Sequence, residues 1–453
     1  MIKMNKLNLT KGKIIGYIIA LVGIALSAVL IVLLNSFDKV ELVSTYNRTF
    51  EKATVTKITK DNLEEDGERY GNQEVVLKIK TGSYAGKELS AISPNGNLFG
   101  APCTVGLDVV AIVSANDGGE PVVTVYSRDR EYVVYAFVAL FVIMLWLVGG
   151  KKGIKSAVCL ALTFVLTIFV YFPLVYRGFS PFWAAAIICV LSTVITIFFV
   201  AGANVKSVSA IAGTAFGVLV AGVLALIFGQ LAGINGYNVS EVESLLFIGQ
   251  NIPINIGELL FSGILISTLG AVMDVGMSLA STIDEIHEKK PELSVSELFR
   301  SGINVGRDMM GTMSNTLILA FVGGSIVTLM IDYCYDLSYY QLINSNNICI
   351  EIMQGISGTI GIVLTVPFTS LLTAVMIKKY HKKKEQTKDS GSGESEKATG
   401  NNLCGFDLFM DVYAFFSLVC LNIIFITPVF ARANMRTDAI SAPPTVLTPK
   451  GIT

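Results

Sequence analysis

Asp274 stands in an otherwise apolar stretch, and steps of three and four residues from it reach Ser267, Gly270, Ser278 and Ser281. On a helix these positions share one face, so the acid belongs to a polar stripe. A carboxylate at membrane depth costs at least ~3 kcal/mol on insertion scales, so something must compensate for it. Glu258 lies earlier on the same predicted helix, about 24 Å away at 1.5 Å per residue. Two acids at opposite ends of one span would serve as entry and exit stations for a proton or a cation. The next polar segment supplies Arg307, Gly311 and Asn315 at four-residue steps, with Thr312 and Ser314 beside them. An amide or guanidinium facing Asp274 would hydrogen-bond the carboxylate, and the amide would also co-ligate a cation. A second reading stays open. In it Asp274 is a structural acid paired with Arg307 or Asn315, Glu258 is an interfacial charge, and each interhelical bond contributes only ~0.6 kcal/mol.

The elements that hold these residues follow from composition. Of 453 residues, 52% are hydrophobic and only 15% charged, against about a quarter charged in soluble domains. The apolar residues come in blocks of about 20, the length of a helix crossing a ~30 Å hydrocarbon core. The blocks are 14–34, 132–150, 156–176, 181–201, 208–232, 257–280, 309–331, 355–377 and 408–430. They predict a membrane all-α helical bundle of about nine transmembrane helices. The first block follows four lysines and exceeds a cleaved signal's apolar region, so it reads as a signal anchor. Residues 35–131 are polar and alternating, with β-branched runs at 53–60, 73–81, 109–114 and 121–127. They predict a small extracytoplasmic β-barrel-like domain between helices 1 and 2, with Gly82–Lys87 as a turn.

Orientation follows from the basic loops. Lys3 to Lys13, Lys151 to Lys155, Lys206, Lys289 to Arg307, and Lys378 to Lys388 fall in alternate connections. Lys and Arg in short loops resist translocation, so the N-terminus and these loops are expected inside and the β domain outside. The last span then leaves Arg432 and Arg436 outside, against that rule. Residues 132–377 form the predicted helical core. Residues 378–407 are rich in Lys, Ser and Gly and predict a disordered cytoplasmic linker, and 431–453 is a tail. Before the seventh span, Ser294 and Glu297 predict a capping box that starts a short helix at Val295 along the inner membrane surface.

Gly213, Gly217, Ala221, Ala225 and Gly229 recur every fourth position, a ridge suited to close helix packing. Gly355, Gly358, Gly361 and Pro367 predict a kink or break in the eighth span, since proline cannot donate to the helical ladder. Residues 245–248 are apolar yet too short to span, and suggest a re-entrant or interfacial piece.

The net charge of -1 gives no basic field for nucleic acid, and two histidines make a His-rich metal site untenable. Seven cysteines contain no C-x-x-C pair. Cys334 and Cys349 fall in one outer segment, and free thiols are the preferred reading over a disulfide between them. No nucleotide, metalloprotease or hydrolase motif occurs. No cofactor, metal or catalytic residue is therefore expected, and no enzyme activity.

The run from Gly257-Glu258-Leu259-Leu260 through Gly270-Ala271-Val272-Met273-Asp274-Val275-Gly276-Met277-Ser278 to Asp284-Glu285-Ile286-His287-Glu288 resembles the YibE/F family of bacterial membrane proteins. Glu297-Leu298-Phe299 and the run from Gly306-Arg307-Asp308 to Asn315 and Ala320 extend the resemblance. It covers the chain from about residue 50, and the insert near 378–402 and the tail after Phe430 depart from it. The resemblance implies an integral protein of the bacterial cytoplasmic membrane and lends no substrate, cofactor or catalytic residue.

The leading expectation is an ion-gradient-coupled secondary transporter or exporter of a small solute or ion. Asp274 would be the coupling acid, assisted by Glu258, Asn315, Arg307, Ser278, Ser267 and Thr312. The alternative is a non-transporting envelope protein whose outer β domain binds a partner or wall component, anchored and oligomerised by its spans. Expected partners are the lipid bilayer, a small solute or ion and, left open, a second copy of the chain, with no nucleic acid.

Overall fold

The computed structural model describes residues 33–389, apart from 38, 44–46, 65–68, 95–99, 115–120 and 203, and leaves out the side chains of 381–389. Nearly all of the expected first span, the last span and the tail lie outside the described residues. The chain divides into two compact units, Lys39–Ala157 and the remainder.

In the first unit, strands β1 (Arg48–Lys60), β2 (Gln73–Ile79), β3 (Glu88–Ser93), β4 (Asp108–Ser114) and β5 (Val122–Arg128) close a barrel in the order β1-β2-β3-β5-β4. Alternation drives it. Gln73, Val75, Leu77 and Ile79 on β2 point inward, as do Val109, Ala111 and Val113 on β4. The long β1 serves both sides, pairing Ala53 with Ile79 on β2 and Thr54 with Asp108 on β4. The parallel pairing of Ala91 with Val123 joins β3 to β5, the strand order of an OB-type barrel. β3 is the strand that the sequence reading does not single out, because Glu88-Leu89-Ser90 opens it with little β-branched content. Gly82 and Gly86, both at positive φ, shape the turn before it.

Helix α1 (Glu131–Leu166), a π turn (Thr167–Tyr171) and α2 (Phe172–Tyr176) together take in the expected spans 132–150 and 156–176, and α1 is itself two helical segments that meet at a kink at Gly150. The expected loop at Lys151–Lys155 is helical. The interruption is Gly150 (φ 53°, ψ -133°), where the chain bends so sharply that a Cβ on Gly153 would lie 1.9 Å from the Leu145 carbonyl oxygen. Glycine tolerates that backbone, so no separate polar loop is needed.

The second unit is a helical bundle. It contains α3 (Pro181–Ala201), α4 (Val205–Ala232), α5 (Val242–Asn251), α6 (Ile256–Lys289), α7 (Val295–Gly324), α8 (Ile326–Cys334), α9 (Tyr339–Ile343) and α10 (Asn346–Asp389). Among the described residues, five helical stretches are long and apolar enough to cross a membrane, or six if α7 and α8 count as one bent span. Nine spans are not reached. The count falls short because Glu131–Tyr176, which holds the two expected spans 132–150 and 156–176 on either side of the non-helical Gly150, counts as one stretch, and because the two outermost expected spans lie outside the described residues.

Three further boundaries move. Ser294 and Glu297 do cap each other reciprocally, but the helix they start is α7 itself. Gly302 and Gly306 do not break it, because they seat against Ile283 and Ser370, and against Val366. The eighth span is unbroken at Pro367, and α10 runs on to Asp389, into the expected linker. Its Lys-rich end, from Lys378 on, has no glycine or proline before Gly391 to stop the helix. Residues 245–248 sit in α5, a short helix with no buried residue.

The core sits where α4, α6 and α10 meet, around Val218, Leu265, Val272, Leu279, Ile362 and Val366. One end of the bundle carries Lys206, paired with Asp284 at 3.0 Å, and Lys378, whose ammonium donates to the Pro291 carbonyl at 2.7 Å. The other end carries Glu241, Glu258 and Glu351 on α5 to α10 and the turns between them.

Candidate functional site

Glu258 is built into a helix junction. Asn255, at the start of α6, donates an amide hydrogen bond to it at 2.9 Å, and the Ser180 hydroxyl donates to its other oxygen. Ser180 also caps α3 by accepting from the Trp183 amide. The carboxylate thereby ties the starts of two helices together, and Asp274 is not among its partners.

Farther along α6 the stripe is open. Ser267, Gly270, Asp274 and Ser278 are all exposed on the protein surface, while Thr268, Val272, Val275 and Leu279 are buried against the bundle. Gly263 and Gly270 have nothing within 4 Å of a would-be Cβ, so no described helix covers this side. The Ser267 hydroxyl turns back to the Ile264 carbonyl at 3.1 Å. Among the described residues, the Asp274 side chain has neither a hydrogen bond nor an ion pair.

The neighbouring α7 repeats the pattern. Leu298, Gly302, Gly306 and Leu317 are buried, and Asn304, Arg307, Asp308, Gly311, Thr312, Asn315 and Thr316 are exposed. Thr312 donates to the Met309 carbonyl at 3.0 Å, within its own helix. The side chains of Arg307, Asp308 and Asn315 have no hydrogen-bonding partner among the described residues. The structure therefore puts the sequence-derived residues on exposed faces of two packed helices without bonding Asp274 to Arg307 or Asn315. In hydrocarbon such a face is unaffordable, and charged groups within spans face a protein interior or a water-filled cavity.

The small-residue ridge does something different. Gly213, Gly217, Ala221, Ala225 and Gly229 are all buried in α4. A Cβ on Gly213 would meet the Thr369 hydroxyl at 1.9 Å, and one on Gly217 would meet the Thr365 hydroxyl at 1.9 Å, so the ridge is the α4–α10 seam. Farther along, Gly229 packs on Phe261 of α6.

A family model described as YibE/F-like protein matches residues 137–379, more than half of the chain. The chain belongs to the YibE/F family. No curated protein and no solved structure matches it. The YibE/F match runs from α1 into α10, so it contains Asp274, Arg307, Asn315 and the packing ridge, and the barrel lies outside it.

The sequence reading of this YibE/F chain also misses a break. α7 and α8 are bent by 61° at Ser325, and the Ser325 hydroxyl donates to Glu351 of α10. The readable signal is Gly323-Gly324-Ser325 in the middle of an apolar run, since each glycine costs a helix interior about 1 kcal/mol relative to alanine. Cys103, Cys159, Cys189, Cys334 and Cys349 are free thiols, so Cys334 and Cys349 are not joined. Among the described residues no group of three or more His, Cys, Asp or Glu side chains is placed to hold a metal ion.

Proposed function

We propose that this YibE/F protein is a secondary transporter or exporter of a small solute or ion, driven by an ion gradient across the bacterial cytoplasmic membrane. The N-terminus and basic loops face the cytoplasm, the barrel faces outward, and the helices carry out transport rather than catalysis. Asp274 is the coupling acid. Arg307 and Asn315 of α7 set its charge state or share its ion, with Ser267, Ser278 and Thr312 as polar lining and Glu258 fixing the helix junction above.

The observation that carries this reading is the exposed face itself. Among the described residues, the side chains of Asp274, Arg307, Asp308 and Asn315 have no partner, on two helices whose other sides are tightly packed. A merely structural acid would be expected to bond to the neighbouring span. An acid left free at membrane depth belongs beside water, where it exchanges protons or cations.

The test is Asp274→Asn in proteoliposomes filled with a pH-sensitive dye, with a pH gradient imposed and a panel of small solutes supplied. Solute-dependent proton movement is expected from the parent and not from the variant, at unchanged thermal stability. Proton movement equal in the two proteins removes Asp274 from the mechanism.

A further inference from the structure

Beyond the Asp274 face, the bundle holds a cavity of about 200 Å³ beside the α7–α8 bend, at the end away from Lys206 and Lys378. Its polar wall includes Glu241, Glu351, Ser325, Thr328, Asn347 and Gln354. We propose that this cavity is a binding site for a small protonated amine with a short hydrocarbon body.

Four observations lead there. The first is an unmet need. One oxygen of Glu351 accepts from the Ser325 hydroxyl, while the other, Oε2, is buried with no hydrogen-bond partner among the described residues. Buried carboxylate oxygens are normally bonded, so a donor from a ligand or solvent belongs there. The second is charge. All the lining residues come from two segments, Lys206–Lys289 and Arg307–Lys378, and neither contains a Lys or Arg between its ends. Glu241 and Glu351 face the cavity uncompensated by its walls, and Glu243, Asp332 and Asp336 add to the negative field at this end.

The third observation concerns hydrogen bonding. Carboxylates, side-chain amides and hydroxyls offer many acceptors, and no aromatic ring lines the cavity. A quaternary ammonium, which has no N–H to donate and is held by ring faces, fits this wall poorly. A primary ammonium with three N–H groups fits it. The fourth is the apolar share of the wall, namely Val239, Leu260, Leu329, Ile348 and Ile350. A bare metal ion wants oxygen on all sides. A volume equal to roughly six or seven water molecules instead suits a few carbons bearing one charge.

This site does not depend on Asp274 or on flux, since binding is read directly. The full chain in detergent is titrated calorimetrically with n-butylammonium chloride, with tetramethylammonium chloride and sodium chloride as comparators. n-Butylammonium is expected to bind saturably at one site, and the comparators to give no saturable heat. Glu351→Gln should weaken the binding about tenfold or more, as expected for loss of a charged acceptor. Glu241→Gln at the exposed rim should weaken it several-fold, and Glu285→Gln, at the opposite end of α6 and paired with Lys289, should leave it unchanged. The proposal is overturned if the parent does not bind n-butylammonium, if tetramethylammonium or sodium binds equally well, or if Glu351→Gln binds as tightly as the parent. Should Glu351→Gln fail to fold, an unchanged affinity in Glu241→Gln overturns it alone.

Discussion

The barrel and the α6–α7 face handle charge in opposite ways. On the barrel, Asp108 accepts from Lys80 at 2.7 Å and from Thr54 at 2.6 Å, and Asp61 accepts from Arg69 at 2.8 Å. These groups are largely exposed, so water would satisfy them without any partner. On α6, where an unpaired charge within a predicted span is far more costly, the Asp274 side chain has no partner among the described residues, nor do those of Arg307 and Asp308 at the start of the neighbouring span. Pairing thus occurs where it matters least and is missing where it matters most. Stability does not explain the second pattern, and it is the reason to read the face as functional.

That contrast requires the bundle to be held together elsewhere, at the α4–α10 seam. Gly217→Leu is the strongest way to break it. Any side chain at that position meets the Thr365 hydroxyl and the Gly361 carbonyl, and α4 and α10 must separate to admit a leucine. Overpacking of this kind costs ~3 kcal/mol or more. Thermal unfolding of the detergent-solubilised chain should show a large drop or failure to fold. A stable Gly217→Leu protein would mean that the seam is not what holds the bundle.

Most of this seam was legible in the sequence, because small residues at a four-residue period have one main use in a membrane helix. The barrel was legible for a similar reason, since β-branched alternation marks four of its five strands. The partners of the polar residues were not. Periodicity tells which residues share a face of one helix and not which neighbour covers that face, so an Asp274–Arg307 bond was as readable as an open acid. The break at Ser325 was obscured by Pro367, the stronger breaker by residue type. Yet α10 runs through Pro367 as one unbroken helix, buried between its neighbours at Val366 and Thr369. That Glu241 and Glu351 line one cavity depends on two residues far apart in sequence and left no local trace.

A smaller effect sharpens the contrast from the other side. If the α6–α7 face is spared a structural duty, Asn315→Leu should change thermal stability by no more than ~0.6 kcal/mol, the average for an interhelical polar contact. Solute-dependent proton movement in proteoliposomes should nonetheless fall, since Asn315 sits on the exposed side of α7. A large stability loss with normal proton movement would reverse the assignment and make Asn315 a packing residue.

The smallest effect belongs to the barrel. The Lys80 hydrogen bond, with help from Thr54, holds the Asp108 carboxyl below its ordinary value of 3.8. A lowered folded-state value means that the ionised form favours the folded barrel. The contribution is therefore complete at neutral pH and is lost as pH falls below about 3.8 and through the folded-state value. Both side chains are about half exposed, at 48% and 54%, so solvent and salt screen most of the interaction. Hydrogen exchange over Asp108–Ser114 in the full chain should be slightly faster in Asp108→Asn than in the parent at neutral pH. The gap should narrow in 1 M salt, where screening is strong, and close in acid. A gap as large as that produced by a buried charge would mean that barrel ion pairs are structural after all, and the contrast with the α6–α7 face would lose its force.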